Sequence, residues 1–191
     1  MGVRDANSLP AVGFLTALED EERGWLGGYL ILNTSSRPLE FHCTAPVKPN
    51  RAQQILYGPT LESYVCGEQI GAALVGKPKV ETAVIFTDRP AMMSVRPLVE
   101  SPVVLVAAEE CQGLGNLRLD AGHRQVPQPH TERLGEFKLA RRVAHVRETF
   151  SSDQHKVSSW WNGEQGARQM DLDEPFERIR EAIEETQLRK A

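Results

Sequence analysis

The stretch "TAVIFTDRPAMMSVRPLVESPVVLVAA", Thr82 to Ala108, decides the fold. Its two ends, "TAVIFTD" and "SPVVLVAA", are unbroken apolar runs. A strand wetted on one face alternates apolar with polar residues, whereas a strand covered on both faces does not. Both runs therefore read as buried strands. Between them, "DRPAMMSVRPLVE" offers Asp88 as an N-cap, Pro90 in a first turn and an apolar contact between Met92 and Val95, with Pro97 ending the helix early. Strand, short crossover helix and strand make a βαβ unit with parallel strands.

Toward the N-terminus the pattern changes. "VGFLTAL", Val12 to Leu18, is a short apolar run followed by the acidic turn "EDEERG". "GGYLILN" and "PLEFHCT" are two strands joined by the polar turn "NTSSR", a hairpin whose entry is punctuated by Gly27 and Gly28. A capped helical turn follows in "PNRAQQILYGP", with Asn50 as N-cap and Gln53 in the capping-box position. A longer helix runs from a Thr60 cap to Gly76. On it Cys66, Ile70, Ala73 and Leu74 share one face, and Gly67 with Gly71 make a small surface suited to close packing.

Beyond Cys111 the signal thins to a loop-rich connection with one short strand near Leu117–Leu119. In "EFKLARRVAHVRETF", Leu139, Val143, Val146 and Phe150 recur at helical spacing, which favours a helix, although the β-branched content leaves a strand open. "SSDQHKVSSWWNGEQG" starts a further short helix. The last helix, "DEPFERIREAIEETQLRKA", has Asp173 as cap, Pro175 in its first turn and a stripe of Phe176, Ile179, Ala182 and Ile183. The expected architecture is α/β (or α+β): a mixed sheet with an N-terminal β-hairpin, one βαβ-like unit, helices packed on the sheet and an amphipathic C-terminal helix. Its parts are an α/β core over 1–110, a connection over 111–135 and a C-terminal helical region over 136–191, in one compact domain.

Composition narrows the classes of function. The chain has 191 residues, is 40% hydrophobic and 25% charged, and carries a net charge of -4. These are ordinary globular values, with no overall attraction to nucleic acid or anionic lipid. No apolar run approaches the roughly 20 residues that cross a bilayer. Three widely spaced cysteines, Cys43, Cys66 and Cys111, suit reduced thiols and a cytoplasmic location.

The chemistry starts at "RPLEFHCTAP", where His42 adjoins Cys43. Successive strand residues point to opposite faces, so Leu39, Phe41 and Cys43 share an apolar side, and Glu40, His42 and Thr44 a polar one. A base cannot take a proton from a thiol across the sheet, so the pair fails as a dyad. Cys43 reads as a small core residue. Cys66 lies in mid-helix, away from the dipole that lowers a thiol pKa at a helix N-terminus, and reads as inert unless it faces a cleft. Metal ligation lacks closely spaced His or Cys pairs, and no glycine-rich phosphate loop or GxSxG elbow is present. No cofactor and no metal are expected.

Glu40 and His42, on one face of a hairpin strand followed by a helix and a buried strand, resemble the core of PD-(D/E)xK nucleases. The resemblance spans about a third of the chain. It implies metal-dependent hydrolysis with a further acid such as Asp20 or Glu62, and it departs where "GGYLILN" lacks an acid and His42 stands at the lysine position. Two binding candidates complete the set. Lys138, Arg141, Arg142 and His145 form a basic helical face balanced by Glu132, Glu136 and Glu148, and Trp160 with Trp161 places one indole where a partner or second subunit would cover it. The leading expectation is a non-enzymatic binding or assembly module with a protein partner or a second copy of itself, nucleic acid and membrane being set aside. Behind it stand a nuclease-like or hydrolytic enzyme using Glu40 and His42, and a thiol enzyme using Cys66.

Overall fold

The computed structural model describes residues 10–106, 133–164 and 167–188. Seven strands form one mixed sheet in the order β3-β2-β1-β4-β5-β7-β6. They are β1 (Ala11–Asp20), β2 (Gly24–Asn33), β3 (Pro38–Cys43), β4 (Thr82–Thr87), β5 (Val103–Val106), β6 (Leu134–Leu139) and β7 (Arg142–Arg147). The two apolar runs are the buried parallel strands expected: β4 pairs in parallel with β1 on one side and with β5 on the other. Val84, Ile85 and Phe86 are all buried, as are all four residues of β5. A 3-10 crossover, Pro90–Leu98, joins them. Asp88 does not cap it; the Thr87 hydroxyl receives the Arg89 N–H instead, at 3.1 Å.

Because the central strands are covered on both sides, the core has two layers. One contains Val12, Phe14, Leu30, Val84 and Phe86, and is closed by α3 (Ser152–Gly163) and α4 (Glu174–Leu188). The other contains Leu15, Tyr29, Ile31 and Ile85, and is closed by the crossover and a helix that begins as a π-helical segment, Ser63–Gly71, and ends as α2, Ala72–Val75. Cys66, Ile70 and Leu74 are buried there as their spacing predicts, while Ala73 is exposed. Gly67 and Gly71 lie against Ser94 and Val95 of the crossover, so a side chain at either position would collide.

Gly27 and Gly28 do more than punctuate the entry to a strand. They sit inside β2 on opposite faces of the sheet, Gly27 beneath Ile70 and Leu74, Gly28 beneath Ile179 and Ile183. Helices on both sides thus rest on the backbone at neighbouring positions, an approach that any Cβ would block.

The C-terminal region departs from expectation. Residues 134–147 are not helical but form the β6–β7 hairpin, which joins the same sheet through β5. Phe137 and Leu139, then Ala144 and Val146, alternate into the α3–α4 layer. The helical spacing of Leu139, Val143, Val146 and Phe150 arises only by counting across a two-residue turn, where Ala140 takes a φ of 55°. Asp173 also has another task. Its carboxylate grips Arg142 at 2.6 and 2.5 Å, and Asp171 takes the backbone N–H groups of Asp173 and Glu174. Thr60 bonds back to the Tyr57 carbonyl rather than capping forward. The Asn50–Gln53 capping box of α1 (Arg51–Tyr57) forms as expected. Cys111, the strand near Leu117–Leu119 and the connection over 111–132 lie outside the described residues.

Candidate functional site

The sheet order places a crevice among the described residues. From β1 the chain builds outward through β2 and β3, then returns to add β4 and β5 on the opposite edge of β1. Growth therefore reverses between β1 and β4, which run parallel. In open α/β sheets, ligands bind beyond the carboxyl ends of the strands at such a reversal. Here that position holds a cavity of about 450 Å³.

A closed polar tie anchors one of its lining residues, Arg180. Thr16, fully buried in β1, donates its hydroxyl to Asp88 Oδ1 at 2.6 Å. Arg180 of α4 pairs with the other oxygen of the same carboxylate. Strand β1, the end of β4 and helix α4 are thus tied at one point, just where the cavity begins. Above it, Leu18, Leu26 and Ile183 make an apolar floor. Charged groups line the rim: Glu19 and Asp20 from the end of β1, Arg23 from the turn, Arg89 after β4, and Arg180 with Glu184 from α4. Asp20 is committed to its own turn, accepting the N–H groups of Glu22 at 3.0 Å and Arg23 at 2.7 Å. From the sequence, Asp88 reads as a helix cap, and Asp20 as part of an acidic turn and as a further acid for Glu40. An acid directly after a buried strand, and a threonine inside another, were the available signals.

The residues singled out from sequence lie elsewhere. Glu40 and His42 do share one face of β3, opposite Ile31 and Tyr29, and bond to each other at 2.8 Å. Cys43 stands opposite Gly28, on the other face. The burial of the two faces is not as expected, however. Leu39 and Phe41 are 41% and 37% exposed, whereas the side chains of Glu40 and His42 are only 18% and 26% exposed. β3 is an edge strand that meets the α3–α4 layer at Cys43 but leaves Leu39 and Phe41 exposed, whereas the loop before β4 folds across its polar face. Glu40 accepts the N–H groups of Lys79 at 3.0 Å and Val80 at 2.9 Å. The hydrogen bond from His42, followed by those backbone N–H groups, holds the Glu40 carboxyl below the usual glutamate range. This is a clasp between an edge strand and a loop, and it leaves the carboxylate little capacity for a metal ion. Among the described residues no three His, Cys, Asp or Glu side chains converge as a metal ion requires.

Cys66 is fully buried on the inner side of the π-helical segment. Burial, then Glu62, pushes its thiol up to about 12, so the thiolate is suppressed at neutral pH. Trp161 is a core residue, edge-on to Phe86 with ring centroids 6.3 Å apart. Trp160 is half-buried against the same core, and its indole nitrogen finds no hydrogen-bond partner among the described residues. Arg141 is exposed at the hairpin turn, and Arg142 is bound to Asp173, so strand geometry breaks up the expected helical basic face.

A second closed polar site lies outside the residues singled out from sequence. Arg96 of the crossover donates to both oxygens of Asp153 at 2.5 and 2.9 Å, and to the Val99 carbonyl at 2.7 Å. Its guanidinium also lies 4.3 Å above the Phe150 ring, and Asp153 is fully buried.

No family model matches the chain, and no curated protein sequence matches it. Among solved structures, the chain resembles an endonuclease V from Ciona intestinalis in complex with a 23mer DNA containing an inosine followed by a ribo-adenosine. The identity is 12% and the TM-score 0.31, with 53% of this chain and 47% of that chain covered. The chain thus spans about half the length of that structure, and a likeness of this size supports no argument about activity. Nucleic acid was set aside as a partner from the sequence; the resembled structure is bound to DNA, and that exclusion is not kept. As for membranes, no helix among the described residues is long and apolar enough to cross one. The fold and site define a mixed α/β protein with a switch-point crevice.

Proposed function

We propose that this protein is a non-catalytic binding module whose ligand, a small polar molecule, occupies the crevice beyond the carboxyl ends of β1 and β4. The observation that carries the reading is a cavity of about 450 Å³ at the reversal point of the sheet, with an apolar floor and charged groups on its rim. Its size lies in the range of roughly 300–1,000 Å³ usual for small-molecule sites. The reading keeps a non-enzymatic module as the leading function but moves its site from the hairpin face and the tryptophan pair to the crevice. The states of Glu40 and Cys66 favour it over hydrolytic or thiol chemistry, since one carboxylate is engaged by its own chain and the thiol is held protonated.

A fragment screen by two-dimensional amide NMR tests the reading. Binders should perturb amides of residues 18–26, 88–90 and 180–184 together. A screen whose hits all map to other surfaces, or turnover of a phosphodiester with Mg²⁺ or Mn²⁺ that Glu40→Ala abolishes, would remove it.

A further inference from the structure

The charges on the crevice wall narrow the ligand. Three carboxylates, Glu19, Asp20 and Glu184, face three guanidinium groups, Arg23, Arg89 and Arg180. Two of the six are already engaged, Arg180 by Asp88 and Asp20 by the N–H groups of its own turn. Among the described residues, the side chains of the other four make no hydrogen bond or ion pair with the protein. The crevice therefore offers Arg23 and Arg89 as free cations, and Glu19 and Glu184 as free anions, around a floor of Leu18, Leu26 and Ile183.

Resting on the crevice as the binding site, we infer that its ligand is a small zwitterion: an ammonium joined to a carboxylate or phosphate through a short apolar span. A simple anion drawn to the guanidinium groups would also sit beside two carboxylates. A simple cation would meet the converse repulsion. A molecule carrying both charges answers both, because charge-assisted hydrogen bonds to guanidinium and carboxylate each outweigh their neutral counterparts. The methylene span covers the leucine and isoleucine floor, which a compact inorganic ion leaves bare. Arg180 contributes shape rather than charge, since its pairing with Asp88 holds α4 against the sheet at the mouth of the cavity.

The test is an NMR titration of the full chain at neutral pH and fixed ionic strength. The probes are γ-aminobutyrate, ε-aminocaproate and phosphoethanolamine, each set against butyrate, inorganic phosphate and butylamine. At least one zwitterion should bind at least about tenfold more tightly than every singly charged analogue, consistent with one additional charged hydrogen bond. The carboxylate and phosphate probes, compared directly, identify the acidic head. Arg89→Gln and Glu184→Gln should each weaken the preferred zwitterion by about tenfold. Both changes should leave the thermal midpoint close to that of the wild type, so that a folding defect is separable from lost binding. If butyrate or butylamine binds as well as γ-aminobutyrate and these substitutions still weaken it, the zwitterion is wrong and the crevice reading stands. If no probe perturbs the crevice amides, the zwitterion is overturned, and the fragment screen then judges the crevice independently.

Discussion

Two polar regions of this molecule differ in a way that composition does not reveal. At the β3 edge, the Glu40 carboxylate bonds to His42 and to the N–H groups of Lys79 and Val80. At the crevice, Arg23, Arg89, Glu19 and Glu184 face one cavity without a protein partner among the described residues. The first region is polar chemistry consumed in holding a loop to an edge strand. The second is polar chemistry left available. A conspicuous acid–imidazole pair therefore belongs to the fold, and an inconspicuous set of surface charges becomes the binding candidate. Hydrogen-bonding capacity not met within the chain is a better indicator of a site than the residue types present.

The contrast can be broken experimentally, and the largest effect belongs to a site closed more tightly than either. Asp153→Ala leaves the buried Arg96 guanidinium without its carboxylate. The loss should be about 3–5 kcal/mol, measured by urea denaturation. A result under about 1 kcal/mol would show that the pair is not structural. Gly28→Val comes next, because its side chain would meet Ile179 and Ile183 and lift α4, the far wall of the crevice. Overpacking of this kind costs about 1–3 kcal/mol. Both stability and ligand binding should fall, whereas Gly27→Val, which meets Ile70 and Leu74 instead, should cost stability alone.

Cys66 sharpens the comparison kinetically. Its thiol stays protonated when folded but ionises in the ordinary thiol range once unfolded. The protein should therefore lose stability as pH rises from about 9 toward the value of about 12 that burial imposes. At neutral pH a thiol reagent should modify the half-buried Cys43 well before Cys66. Rapid native modification of Cys66 would restore the thiol-enzyme reading.

Glu40→Gln should act more gently. Since the folded carboxyl is held below its ordinary range, its contribution is present above the unfolded glutamate value of about 4.5 and disappears as pH falls through the folded value. The wild type should thus lose more stability than Glu40→Gln between neutral and strongly acidic pH, and parallel profiles would refute the clasp. The smallest structural effect is expected at the crevice rim. Arg89→Gln should shift folding stability by no more than about 0.5 kcal/mol while weakening ligand binding by about tenfold. A large destabilisation would mean that Arg89 serves the fold.

Several elements were legible in the sequence because their signals are local. The unbroken apolar runs at β4 and β5, the β2–β3 hairpin, the Asn50–Gln53 capping box and the stripe on α4 were all read correctly. The β6–β7 hairpin was not, since a two-residue turn at Ala140 and Arg141 lets two strands imitate one helix in the spacing of apolar residues. Pleat alternation placed Glu40 and Cys43 on opposite faces, but it could not say which face is wetter. That depends on how far α4 and the loop before β4 reach over an edge strand.

The sequence by itself determined the fold class and the two-sided burial of β4 and β5, because hydrophobic periodicity is a property of neighbouring residues. Tertiary structure alone decided which charges are spent and which are free. Thr16, Asp88 and Arg180 are separated by 72 and 92 positions along the chain yet meet at one carboxylate. Such a meeting follows from strand order and helix docking, which bring distant residues to one end of the sheet and leave no periodic trace in the chain.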